Sequence, residues 1–184
     1  MTRLVRNNPG IPLTYLKVSE GGFFLRPTLV QTVLGSCLGG AFHAGDVGAF
    51  FHAFLPVRAE WQEPGGNEPV FKFVDSAIDH VLGRFSRLGV SPRSITVSLL
   101  GGANGLRESN GGVGRKNVEA ARAALVRHGL KPVLEDVGGE QGRRVVFLSS
   151  TGQLEVHKLK DLLDQTRHPN RVSPRDNVAW FMKP

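Results

Sequence analysis

The chain of 184 residues has one cysteine, one tyrosine, two tryptophans and two methionines. A single cysteine excludes any disulfide within the chain, and nothing in the composition asks for an oxidising compartment. Long apolar runs are missing too: none reaches the ~18 uninterrupted apolar residues of a membrane-spanning helix. The opening Met1-Thr2-Arg3-Leu4-Val5-Arg6-Asn7-Asn8-Pro9-Gly10 lacks the apolar centre of a signal peptide. These absences lead to the expectation of a cytoplasmic location without membrane insertion. Metal and nucleotide motifs are also lacking. His43, His52, His80, His128, His157 and His168 form no ligand spacing with the lone cysteine. Gly111-Gly112-Val113-Gly114-Arg115-Lys116-Asn117 has no Gly-Lys-Ser/Thr ending to cradle a nucleotide, and Gly101-Gly102-Ala103-Asn104-Gly105 is no dinucleotide fingerprint.

What is present is an ordinary globular balance, 40% hydrophobic and 21% charged, at a length that suits a single domain over residues 1–184. Net charge is +7, yet the basic residues are dispersed and no aromatic-interleaved basic motif accompanies them. A solvated basic surface follows, suited to an acidic protein partner rather than to nucleic acid.

The lone Cys37 lies in Leu34-Gly35-Ser36-Cys37-Leu38-Gly39-Gly40, and His52 follows in Phe50-Phe51-His52-Ala53-Phe54-Leu55-Pro56. Between them are two strand-like runs, Cys37 to Phe42 and Val47 to Leu55, joined by His43-Ala44-Gly45-Asp46. A turn symmetric about Ala44-Gly45 would set Cys37 directly opposite His52 in an antiparallel pair. There an imidazole can take the proton of a thiol and make it a nucleophile. The glycines would admit a substrate closely, and amides around Cys37 (Gly35, Ser36, Leu38) would line an oxyanion site. The same residues also fit a small buried thiol, a structural histidine and a crowded strand entry that needs small side chains.

Strands are expected at Leu13–Val18, Gly22–Leu25 and Leu29–Leu34, ahead of the cysteine strand. A Pro- and Gly-rich loop spans Glu60–Pro69. Phe71, Val74, Ile78, Val81 or Leu82, Phe85 and Leu88 recur at helical spacing up to Gly89, with His80 beside the stripe at the surface. Ile95–Leu100 reads as a buried strand, and a second helix runs from about Gly114 to His128, with Val118, Ala121 and Leu125 facing inward. Lys131–Val137 and Arg143–Leu148 read as a strand pair around Gly138–Gly142, while Gln153–Leu163 fits a strand or a short helix. Residues 1–11 and 167–184 are expected to be loosely held.

Taken in order, Leu34-Gly35-Ser36-Cys37, Phe51-His52-Ala53-Phe54-Leu55-Pro56, Gly101-Gly102-Ala103, Gly114-Arg115-Lys116-Asn117, and Asp136-Val137-Gly138-Gly139 with Gly142-Arg143 resemble the chemoreceptor glutamine deamidase family, CheD. The resemblance covers roughly residues 12 to 157. It implies an α/β fold with a β-sandwich-like mixed sheet core flanked by helices, related to that of deamidating bacterial toxins. It also implies hydrolysis of selected glutamines on methyl-accepting chemoreceptors to glutamate and ammonia, with no metal or organic cofactor. Some members also bind a CheC-type phosphatase. Carried over by position, Cys37 takes the nucleophile's place, His52 that of the base, and Thr32 that of the third triad member. The turn after Phe42 is shorter here than in many relatives, and a tail is added after Leu163. Two further readings stay open: a receptor- or phosphatase-binding module, and a cysteine amidohydrolase or transglutaminase acting on something other than receptors.

Overall fold

A computed structural model describes residues 2–61, 68–104 and 112–159. Among the described residues nine strands form two sheets. The four-stranded sheet has the order β1 (Leu13–Tyr15), β3 (Leu29–Leu34), β8 (Arg143–Leu148), β9 (Gln153–Lys158). The five-stranded sheet has the order β2 (Glu20–Phe24), β5 (Val47–Ala53), β4 (Leu38–Ala44), β6 (Thr96–Gly101), β7 (Leu134–Val137). Helix α1 (Arg3–Asn7) lies on the outer face of the smaller sheet; α2 (Arg58–Trp61) is one turn; α3 (Val74–Arg87) and α4 (Val113–Arg127) cover the larger sheet. The expected mixed-sheet core flanked by helices is what the chain forms.

Period-two alternation sorts the side chains into layers. In β5, Ala49, Phe51 and Ala53 face α3 and α4, whereas Phe50 faces the other sheet. In β3, Val30 and Leu34 face the same inter-sheet layer, together with Leu16, Phe24, Ala41, Leu100, Val145 and Phe147. Leu29 turns outward and packs with Val146 and Leu148 beneath Leu4 and Val5 of α1. Two phenylalanines meet in the middle layer: the Phe50 and Phe147 rings lie 5.8 Å apart.

Both long helices follow the expected stripes, except that Phe71 lies in a 3-10 turn before α3 and Leu88, just past its end, is half exposed. In α3, Val74, Ala77, Ile78, Val81, Leu82 and Phe85 are buried. Asp75 in its first turn and Arg84 and Arg87 in its last complement the helix dipole. His80 stays beside the stripe, its ring edge-on to Phe71. In α4, Val118, Ala121 and Leu125 are buried as expected. The Gln153–Leu163 stretch resolves as strand β9.

Three expectations are corrected. The β4–β5 hairpin pairs His43 with Gly48 and Ala44 with Val47, so Gly39, not Cys37, stands opposite His52. The cause is the turn: β4 continues through Ala44 and the loop contracts to Gly45-Asp46. Gly45 at φ +58° meets the positive φ that a two-residue turn needs at its first position. Moving the turn centre by one residue moves every pairing by two, which preserves the face of each side chain. Second, the runs 131–137 and 143–148 do not pair. β7 lies parallel to β6, whereas β8 joins the other sheet against β3, because Gly138 and Gly139, both at positive φ, turn the chain from one sheet to the other. Third, the amino-terminal residues are held rather than loose: the Glu155 carboxylate accepts hydrogen bonds from the N–H groups of Arg3 and Leu4. The expected loop over Glu60–Pro69 falls largely, and the expected tail 167–184 entirely, outside the described residues.

Candidate active site

Gly35-Ser36-Cys37 is the link by which the chain leaves β3 in one sheet and enters β4 in the other. Its three carbonyls are all accounted for. Gly35 accepts from the Ala103 N–H at 2.8 Å, Cys37 from the Gly102 N–H at 2.8 Å, and Ser36 from Asn117 Nδ2 at 2.9 Å. In a trans peptide the next N–H points away from the carbonyl. The N–H groups of Ser36, Cys37 and Leu38 therefore face the opposite way from these partners. Leu38 already sits in ladders with Ala53 and Gly101, and its side chain is buried against the helices. Ser36 and Cys37 are thus the amides of the link outside the ladders. Gly101 holds the other side: at φ +99° its α-carbon lies against the Cys37 carbonyl, where a Cβ would collide.

The loop after β6 is itself braced. Gly138 donates to the Gly101 carbonyl and Asn104 to that of Gly139. Buried Arg143 pairs with Asp136 at 3.0 Å and donates to the Gly138 and Gln141 carbonyls. The two glycine blocks of the sequence thus form successive supports behind the cysteine link.

His52, in β5, points into the inter-sheet layer and is 3% exposed. Thr32, two positions from each of Val30 and Leu34 in β3, points into the same layer. Its Oγ1 lies 2.8 Å from His52 Nδ1 and 2.8 Å from the Leu16 carbonyl. The hydroxyl has one proton, and the Leu16 carbonyl can only accept. Thr32 therefore donates to Leu16 and accepts from a protonated Nδ1. That tautomer leaves the Nε2 lone pair open, and among the described residues Nε2 has no hydrogen-bond partner.

Cys37 packs against the same apolar layer and is partly buried. It lies two positions before Gly39, the partner of His52, and just ahead of β4, so it is diagonal to His52. Burial pushes the thiol up to about 11, its own backbone N–H pulling the other way. Burial also pushes His52 down to about 4, opposed by the Leu16 carbonyl. At neutral pH the pair is a thiol and a neutral imidazole, not a preformed ion pair. A neutral imidazole in this tautomer has its Nε2 lone pair open to a proton.

The structure thus brings Thr32 and His52 into contact and sets Cys37, Ser36 and Gly35 on the adjoining link, while Leu38 offers only backbone. Sequence reasoning assigned no role to Leu16, Gly102, Ala103 or Asn117. Three of these act through backbone groups that carry no side-chain signal. Among the described residues no three His, Cys, Asp or Glu side chains gather as metal ligands.

Comparison with known proteins places the chain in a family. The family model described as CheD chemotactic sensory transduction matches residues 54–158. A probable chemoreceptor glutamine deamidase CheD of Maridesulfovibrio salexigens is 38% identical over 84% of this chain and 96% of its own length. One of Geobacter sulfurreducens is 37% identical over 85% and 96%. One of Oleidesulfovibrio alaskensis is 39% identical over 92% and 84%, a span that takes in Thr32, Cys37 and His52. The chain belongs to the CheD family.

Proposed function

We propose that this protein is a glutamine deamidase of chemotaxis, hydrolysing the side-chain amide of selected glutamines on chemoreceptors to glutamate and ammonia. The activity rests on the family and on the names its relatives carry. The assignment of residues rests chiefly on one observation, the Thr32 contact that fixes His52 with Nε2 free.

In this reading the substrate carboxamide enters beside the Gly35-Ser36-Cys37 link. Nε2 of His52 takes the Cys37 proton as sulfur attacks the amide carbon, so charge appears only with the substrate in place. The tetrahedral oxygen is held by the N–H groups of Ser36 and Cys37. The imidazolium, steadied by Thr32 and the Leu16 carbonyl, protonates the departing nitrogen and releases ammonia. Water then attacks the thioester, His52 takes its proton, and glutamate leaves as the thiol is restored. Each glutamine converted adds one negative charge to a receptor.

Among the described residues no helix is long and apolar enough to cross a membrane, and action from the cytoplasm on receptor cytoplasmic helices is part of the proposal. A CheC-type phosphatase is a further partner we infer from the family resemblance. Ammonia release from a receptor cytoplasmic fragment, compared with free glutamine and unrelated peptides, tests the substrate assignment. Release from the fragment alone, abolished in Cys37→Ala, is expected. Release from free glutamine with the fragment untouched would instead indicate a general amidohydrolase. Binding of a CheC-type protein should survive Cys37→Ala.

A further inference from the structure

Backbone pairing between β4 and β5 stops at Leu38 and Ala53. The next rung would join Cys37 to Phe54, and it is not made. Instead the side chain of Asn117, from the second turn of α4 and 0% exposed, spans the gap. Its Nδ2 donates to the Ser36 carbonyl at 2.9 Å and to the Phe54 carbonyl at 3.1 Å. An amide nitrogen has two protons, and both are used. One fixes the residue before the nucleophile and the other fixes the strand two residues beyond the base. Its Oδ1, also buried, has no partner among the described residues. A buried orphan oxygen carries a cost that an apolar side chain of similar size would avoid. The two donors are what only this amide supplies at that point.

We propose that Asn117 is a positioning residue for deamidation: it replaces the missing rung and sets the distance and angle between the Cys37 link and the His52 strand. Its effect on turnover rests on the deamidase reading above, whereas its effect on the thiol does not. A support of this kind acts on the approach of sulfur, base and substrate rather than on receptor binding. A misplacement of about 1 Å can cost roughly 100-fold in rate.

The test compares wild type with Asn117→Ala and Asn117→Ser. Asn117→Ser keeps a single donor and serves where the alanine variant does not fold. Two readouts are taken: kcat and KM on a receptor cytoplasmic fragment, and the pH dependence of Cys37 alkylation by iodoacetamide. The expected result is a fall in kcat of roughly 100-fold with KM unchanged, and an alkylation midpoint displaced from that of wild type as the link is released. A folded variant with wild-type kcat and an unmoved midpoint would overturn the proposal. If wild type itself leaves the fragment untouched, the deamidase reading fails, and the alkylation midpoint alone decides the role of Asn117.

Discussion

Thr32 does at residue scale what composition could not reveal: one hydroxyl selects a tautomer. Replacing it by valine removes the acceptor from a buried imidazole N–H. We expect Thr32→Val to lower kcat by about 10- to 100-fold and Thr32→Ser to restore most of it, read by steady-state deamidation of a receptor fragment. Burial of His52 adds an acid limit. Its folded value of about 4 lies below the ordinary 6.5, so the unfolded chain binds its proton first. The stability tied to this group is full above pH 6.5 and is lost as pH falls towards 4, a loss of about 3 kcal/mol at most. Urea denaturation at pH 7 and pH 4.5 should show a smaller acid loss in His52→Gln than in wild type. The Cys37 thiol, held near 11, should alkylate faster as pH rises well beyond the range of an ordinary thiol. Cys37 and His52 were drawn together in the sequence by their types and glycine surroundings. Their separation was not: a turn centred on Ala44-Gly45 and one centred on Gly45-Asp46 are equally good sequences, and they differ by two positions of register. Because two is even, the common face survived the error.

Among the elements, the strongly patterned ones could be read directly. β3 has the expected bounds Leu29–Leu34, and the apolar stripes of α3 and α4 are buried as their spacing demands. What escaped was where the chain changes sheets, since a glycine-rich link between two apolar runs looks the same whether they pair or part. Gly138 and Gly139 part them, and the site depends on it: that corner, clamped by Arg143, supports the loop that grips the cysteine link. Asn117 was equally hidden, because its partners are backbone carbonyls 81 and 63 residues away. Replacing Arg143 by methionine would leave two carbonyls and the Asp136 carboxylate without their donor. A loss of about 2–4 kcal/mol is expected from chemical denaturation, with activity falling as the support behind Cys37 loosens. Gly101→Ala should also be harmful, as φ +99° strains any side chain by about 1–3 kcal/mol and the new methyl would push on the Cys37 carbonyl.

For the whole molecule, two sheets enclose His52 and Thr32 while the Cys37 link stays at their edge. The chain carries a net charge of +7, and the proposed reaction makes its substrate more acidic with each turnover. Complementary charge acts over roughly a Debye length, about 10 Å at 0.1 M salt. KM for a receptor fragment should therefore rise with ionic strength while Cys37 alkylation stays constant; a salt-independent KM would remove charge from the account of recognition. The central claim is that Cys37 is the nucleophile that turns a receptor glutamine into glutamate. Intact-mass analysis of a receptor cytoplasmic fragment incubated with wild type or with Cys37→Ala addresses it most directly. A mass gain of one amide-to-acid conversion per modified glutamine is expected with wild type and none with the variant. Equal conversion by both proteins, or by neither, would contradict it.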